Sequence, residues 1–169
     1  MSFLRIILLA AAILSVCRAG AEEPPSHATN VVAGFELRDQ FDQPQKLAFP
    51  ATNVTVLIVT DRKGSPQVAA WLAALESAHR NVVVLGLADV GGAPGFVHGK
   101  IRRQFQEDYR QPVMLDWSGK ISARIGYQPG IANVLVIGRD GIIRARIVGK
   151  ADEANRDLAL KAMARAWNP

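Results

Sequence analysis

A chain of 169 residues, 49% hydrophobic and 21% charged, has material for one packed domain and too little for two, which excludes a disordered chain. Its 14 glycines and 9 prolines are near the usual level, so collagen-like and low-complexity sequence is excluded as well. A single cysteine rules out an intramolecular disulfide, a CxxC dithiol and a four-cysteine zinc site, and a net charge of +5 falls short of the concentrated basic patch that nucleic-acid binding requires.

The N-terminus carries Arg5, an apolar run over residues 6–16 and an Ala19-Gly20-Ala21 cleavage pattern, which together read as an export signal over residues 1–21. The run is too short for the roughly 20 apolar residues that span a bilayer, so no transmembrane helix is expected in the mature chain. Cleavage after Ala21 removes Cys17 and leaves a mature chain without cysteine, periplasmic or secreted. Leu14-Ser15-Val16-Cys17 offers the alternative of lipid anchoring through Cys17. Residues 22–34, with Pro24-Pro25 and small polar side chains, are expected to form a flexible leader, and residues 35–169 the folded domain.

Phe35, Leu37 and the turn residues 39–44 predict a short hairpin closing on residues 45–49. Residues 54–60, VTVLIVT, form a β-branched run suited to a strand buried on both faces. Ser65-Pro66 then reads as an N-cap followed by proline in the first helical turn, with Val68, Trp71, Leu72 and Leu75 on the buried face of the helix. Residues 82–87 predict a second buried strand. The glycine-rich segment 91–95 precedes a helix marked by Val97, Ile101, Phe105 and Tyr109, and residues 113–115 a short strand before a helical turn near 121–125. Asp140-Gly141 is a hairpin signal between strands at 133–137 and 142–148, and residues 152–167 predict a closing helix with Trp71 and Trp167 in the core. This order argues for a mixed sheet covered by helices on both faces.

Two segments resemble the thioredoxin-like superfamily, in the branch of exported thiol-disulfide proteins and peroxiredoxins. Residues 130–141, GIANVLVIGRDG, are similar to the pattern G-x-P-T-T-F-L-I-D-x-x-G, and VLIVTDRKGSPQV at residues 56–68 is similar to the strand, loop and C-x-P-C helix start. The resemblance implies a thioredoxin-like three-layer α/β/α sandwich with a mixed central sheet and an N-terminal β-hairpin extension. It also places Gly64 and Gln67 at the cysteine positions and Ala132 at the cis-proline. Thiol chemistry needs a thiolate, and neither Gly64 nor Gln67 forms one. A non-proline cis bond costs about 3 kcal/mol, so the bond before Ala132 is expected to be trans.

The expected function is therefore an exported, redox-inactive module that binds a protein or peptide, with no catalytic residue, no cofactor and no metal. The candidate groove joins Asp61, Arg62, Lys63, Gly64, Ser65 and Gln67 to Ile131, Ala132 and Asn133. The alternative is a non-thiol enzyme or small-anion binder that uses residues 91–103, with Lys100, Arg102 and Arg103 as an anion patch. His27, His79 and His98 lack metal-ligand spacing.

Overall fold

A computed structural model describes residues 30–76 and 82–167. The expected export signal over residues 1–21, Cys17, His27 and His79 lie outside the described residues. Strand β1 (Phe35–Arg38) pairs antiparallel with β2 (Pro44–Leu47), Phe35 facing Leu47. The central sheet runs β5-β4-β3-β6-β7, built from β3 (Val54–Thr60), β4 (Val82–Asp89), β5 (Val113–Asp116), β6 (Asn133–Ile137) and β7 (Ile143–Val148). Strands β3, β4 and β5 are parallel, and β6 and β7 turn the other half antiparallel. Helices α1 (Val68–Glu76), α2 (His98–Asp108), α3 (Lys120–Arg124) and α4 (Glu153–Trp167) complete the fold.

Every residue of β3 is buried because the strand lies at the centre of the sheet with both faces covered. On one face, Val54, Val56 and Ile58 meet Trp71 and Leu75 of α1 and Ala159, Ala162, Met163 and Ala166 of α4. The alanines let α4 approach the sheet closely, while Trp71 fills the space between the helices and donates from Nε1 to Gly149 O at 2.9 Å. On the other face, Leu57 and Val59 pack with Phe35 and Leu47 of the hairpin, Leu87, Met114 and Ile125. Each such aliphatic or aromatic side chain contributes about 1.5–3 kcal/mol through burial. Asp152 caps α4 by accepting from Asn155 N at 2.9 Å.

Several expectations are corrected. Residues 30–34 do not behave as a flexible leader: Ile143 N donates to Asn30 O, Val32 N donates to Gly141 O, and Val32 enters the core, because the start of β7 presents open backbone groups. Strand β4 is not buried along its length. Val83 and Val84 are 39% and 37% exposed, since β5 is short and pairs only with the stretch from Gly86 to Asp89. The expected helix forms as α2, with Val97, Ile101, Phe105 and Tyr109 half-buried and none of its residues fully buried, whereas Leu72, expected on the buried face of α1, is exposed. Trp167 is at the surface at the end of α4, where the Arg139 guanidinium sits 5.4 Å from its ring centre. Among the described residues no helix is long and apolar enough to cross a membrane.

Candidate functional site

The loop after β3 and the loop before β6 meet at the carboxyl end of β3, the region where open α/β sheets place their ligands. Asp61 joins them. Its Oδ1 accepts from Lys63 N and Gly64 N, each at 2.8 Å, and its Oδ2 accepts from Gly130 N at 2.8 Å across 69 positions of sequence. Burial alone would raise the Asp61 carboxyl, but the N–H groups of Gly64, Gly130 and Lys63 outweigh it and hold the group below its ordinary value.

Gly64 makes a second connection. A side chain there would place Cβ 2.8 Å from Ile131 C and 2.9 Å from Ile131 O, so the backbone of residue 64 lies directly on the peptide joining Ile131 to Ala132. That peptide is trans, and the cis bond among the described residues is Phe49–Pro50. A third connection comes from Gln67, whose Oε1 accepts from Ala132 N at 3.3 Å. Between them these contacts close the approach to the backbone at residues 131–132.

Ser65 is not the cap expected from its place before Pro66. Its Oγ donates to Arg62 O at 3.1 Å, and the short 3₁₀ turn over Ser65–Gln67 has no side-chain cap. Asn133 is also engaged internally, accepting at Oδ1 from Gln128 N and donating from Nδ2 to the carbonyls of Gln128 and Ile131, each within 3.0 Å. Gly64, Ala132 and Asn133 are buried; Asp61, Ser65, Gln67 and Ile131 are half-buried; Arg62 and Lys63 are exposed. The structure thus gathers all nine groove residues but presents mainly Arg62, Lys63 and the edge of Ile131 to solvent.

Tyr127 and Gly130 belong to this arrangement but are not among the nine groove residues named from the sequence. Burial first, and then the Asp61 charge, push the Tyr127 hydroxyl up to about 12. That hydroxyl is buried and falls short of hydrogen-bond geometry. The available signal for Gly130 was glycine before a strand: its φ of +83° suits glycine and turns its N–H toward Asp61.

The anion patch is not gathered in the same way. Lys100 and Arg103 are exposed, while Arg102 Nη2 turns to Asp42 Oδ1 at 3.4 Å in the β1–β2 turn. In the glycine-rich loop the Gly91 N–H already donates to Asp89 Oδ1 at 3.0 Å, which places a carboxylate where an anion would sit. His98 closes the loop through Nε2 and Ala93 O at 2.9 Å and stacks on Trp117 with ring centres 4.0 Å apart. Asp116 is fully buried and accepts from Ser118 Oγ, Ser122 N and Ser122 Oγ, a structural role at the start of α3.

Solved structures share this architecture. The pneumococcal exposed lipoprotein thioredoxin of Streptococcus pneumoniae superposes with a TM-score of 0.61 at 20% identity, covering 79% of this chain and 99% of that one. A thioredoxin-family thiol:disulfide interchange protein of Chlorobium tepidum matches with a TM-score of 0.56 at 16% identity, over 79% and 94% of the two chains. The peroxidoxin BcpB of Mycobacterium tuberculosis matches with a TM-score of 0.51 at 20% identity, over 80% and 94%. No protein-family model and no curated protein matches the sequence. The chain has a thioredoxin-like α/β fold with an N-terminal hairpin. Gly64, Ser65, Pro66 and Gln67, the segment that resembles C-x-P-C, lie between β3 and α1, with the 3₁₀ turn over Ser65–Gln67 leading into α1.

Proposed function

We propose that this chain is an exported, redox-silent thioredoxin-like module that binds a protein or peptide partner at the rim of the closed 61–67 and 130–133 loops. The observation that carries this reading is the use made of the two cysteine-matched positions. Gly64 is pressed against the Ile131 carbonyl, and Gln67 is hydrogen-bonded to Ala132 N, so both hold the loops together. A thiolate at a helix start is the reactive group of thiol-disulfide exchange, and neither residue supplies one. What the site offers a partner is a fixed surface: the cations Arg62 and Lys63 beside Ile131, on a loop held rigid by the Asp61 carboxylate. Function here rests on the site rather than on the fold, which hosts many activities.

Export is supported by the pattern of Arg5, the apolar run and Ala19-Gly20-Ala21, and the structurally similar pneumococcal protein is itself described as an exposed lipoprotein. Mass spectrometry of the protein recovered from its native envelope or medium tests this, with Glu22 as the expected first residue. An unprocessed Met1 refutes export by cleavage, and a lipidated Cys17 replaces release with anchoring.

Chemical cross-linking of the exported protein in place, followed by capture, tests the binding surface. A partner cross-linked by the natural protein is expected to be lost from a chain carrying Arg62→Glu and Lys63→Glu that retains its circular dichroism spectrum. Undiminished capture by that variant refutes the assignment of the rim.

A further inference from the structure

Strands β3, β4 and β5 end in one row, with Thr60 beside Ala88 and Ala88 beside Leu115, so the loops over residues 61–67, 90–97 and 117–120 share the carboxyl edge of the parallel half of the sheet. The β4 and β5 loops touch. A Cβ at Gly91 would stand 3.0 Å from Gly119 Cα, and His98 both stacks on Trp117 and bonds Ala93 O at 2.9 Å, which fixes the 90–97 loop. Phe96 stands at its tip, 88% exposed, the most exposed large hydrophobic side chain among the described residues. Residues 90–97, VGGAPGFV, contain no side chain that carries a charge or a hydrogen-bonding group.

The surface charges of the three loops have one sign. Arg62, Lys63 and Lys120 are exposed. The aspartates turn inward: Asp61 and Asp89 are half-buried and accept from the Gly64, Gly130 and Gly91 N–H groups, and Asp116 is fully buried against Ser118 and Ser122. The exposed Asp152 and Glu153 lie after β7, two strands beyond β3, and follow Lys150. A rigid apolar tip flanked by cations matches the anionic headgroup layer of a membrane, where an aromatic ring enters the acyl boundary and Lys and Arg meet the phosphates. A protein partner fits this tip less well, because a protein interface carries about one hydrogen bond per 100–200 Å² and the loop has no side chain to make one.

We propose that the carboxyl edge of β3, β4 and β5 docks on an anionic lipid surface, with Phe96 inserted at the headgroup–acyl boundary and Lys120, Arg62 and Lys63 on the lipid phosphates. Arg62 and Lys63 are shared with the partner surface proposed above, whereas Phe96 and Lys120 are not, and these two carry the proposal. A cation near such a surface is worth about fivefold in affinity and a buried phenyl ring about tenfold or more. Together they give about a thousandfold, so docking is reversible and is read at millimolar lipid.

The test is tryptophan fluorescence of the full chain carrying Phe96→Trp, titrated with vesicles of phosphatidylcholine and phosphatidylglycerol in equal parts whose acyl chains are brominated. Bromine quenches a ring only where it enters the lipid, and every variant keeps the same N-terminal apolar run. The fluorescence gained in Phe96→Trp is expected to be quenched, and that gained in Phe41→Trp, at the exposed Phe of the β1–β2 turn, is expected to be unaffected. The lipid concentration at half-quenching is expected to rise about fivefold when Lys120→Gln is added and to stay unchanged with Lys161→Gln, an exposed lysine on α4. No quenching at position 96, equal quenching at positions 41 and 96, equal quenching by phosphatidylcholine alone, or no effect of Lys120→Gln overturns the proposal. Retention of the natural chain on poly-L-glutamate that falls in Lys120→Gln, without quenching at position 96, overturns it in favour of an acidic protein surface.

Discussion

Replacing Gly64 with alanine tests whether the cysteine-matched position is closed by packing. The backbone there has φ −78° and ψ −22°, a conformation open to any L-residue, so the substitution introduces no strain of its own. The contact is what decides. A new Cβ would stand 2.8 Å from Ile131 C, 2.9 Å from Ile131 O and 3.2 Å from Ala132 N, all backbone atoms that cannot rotate away. Overpacking of this kind costs about 1–3 kcal/mol, and restricting the unfolded chain returns about 0.4–1 kcal/mol, leaving a net loss of about 0–2.6 kcal/mol, centred near 1.3 kcal/mol. Urea denaturation followed by tryptophan fluorescence measures it. Gly99→Ala serves as the opposite control: nothing lies within 4 Å of a Cβ on α2 there, and removing a helical glycine is expected to stabilise by up to about 1 kcal/mol. A Gly64→Ala chain more stable than the natural protein, as expected for Gly99→Ala, would refute the closure.

Asp61→Asn is expected to cost about 1 kcal/mol at neutral pH, because the amide nitrogen now faces a backbone N–H that a carboxylate oxygen had accepted. The folded carboxyl lies below 3.8, so its contribution is present above that value and is lost as pH falls through the folded value. The stability gap between the natural chain and Asp61→Asn should therefore close in acid, and a gap that widens there contradicts the role. Gln40 is fully buried, donating from Nε2 to Tyr109 O and Gln111 O and accepting at Oε1 from Val113 N at 2.7 Å. Gln40→Leu orphans those groups and is expected to lower the unfolding free energy by about 2–4 kcal/mol, read by calorimetry or denaturant. In an ultraviolet titration of the two tyrosines, Tyr127 should ionise at about 12 and Tyr109 above 10, with stability falling as pH rises from 10 towards 12. Ionisation of Tyr127 at 10 would show that its hydroxyl is not buried beside Asp61.

What was legible in the sequence is what short-range pattern encodes. The β-branched stretch 54–60 coincides with β3, and Asp140-Gly141 joins β6 and β7, where Gly141 takes the φ of +83° the turn needs. The same reading brought residues 61–67 and 131–133 together through their resemblance to the family loops, although their detailed roles came out differently. Ser65-Pro66 has the local form of a cap, yet Asp61 holds the loop, because its two oxygens reach N–H groups both three residues away and across the sheet. Asn133 falls in the expected groove, but Gln128 and Ile131 occupy its amide. Arg102 left the expected anion patch for Asp42, a neighbour supplied by the distant hairpin turn. The apolar spacing of α2 matches its half-buried face, Val97, Ile101, Phe105 and Tyr109. Some of these differences depend on a long-range neighbour, as with Gly130 on Asp61 and Asp42 on Arg102, while others, as at Asn133, depend on the path of the local loop, and residue spacing specifies neither.

The most direct test of the redox-silent reading is insulin disulfide reduction by the purified natural protein in the presence of dithiothreitol. With Gly64 and Gln67 in the matched positions, the rate is predicted to equal that of dithiothreitol alone. A rate that rises with protein concentration would contradict the account.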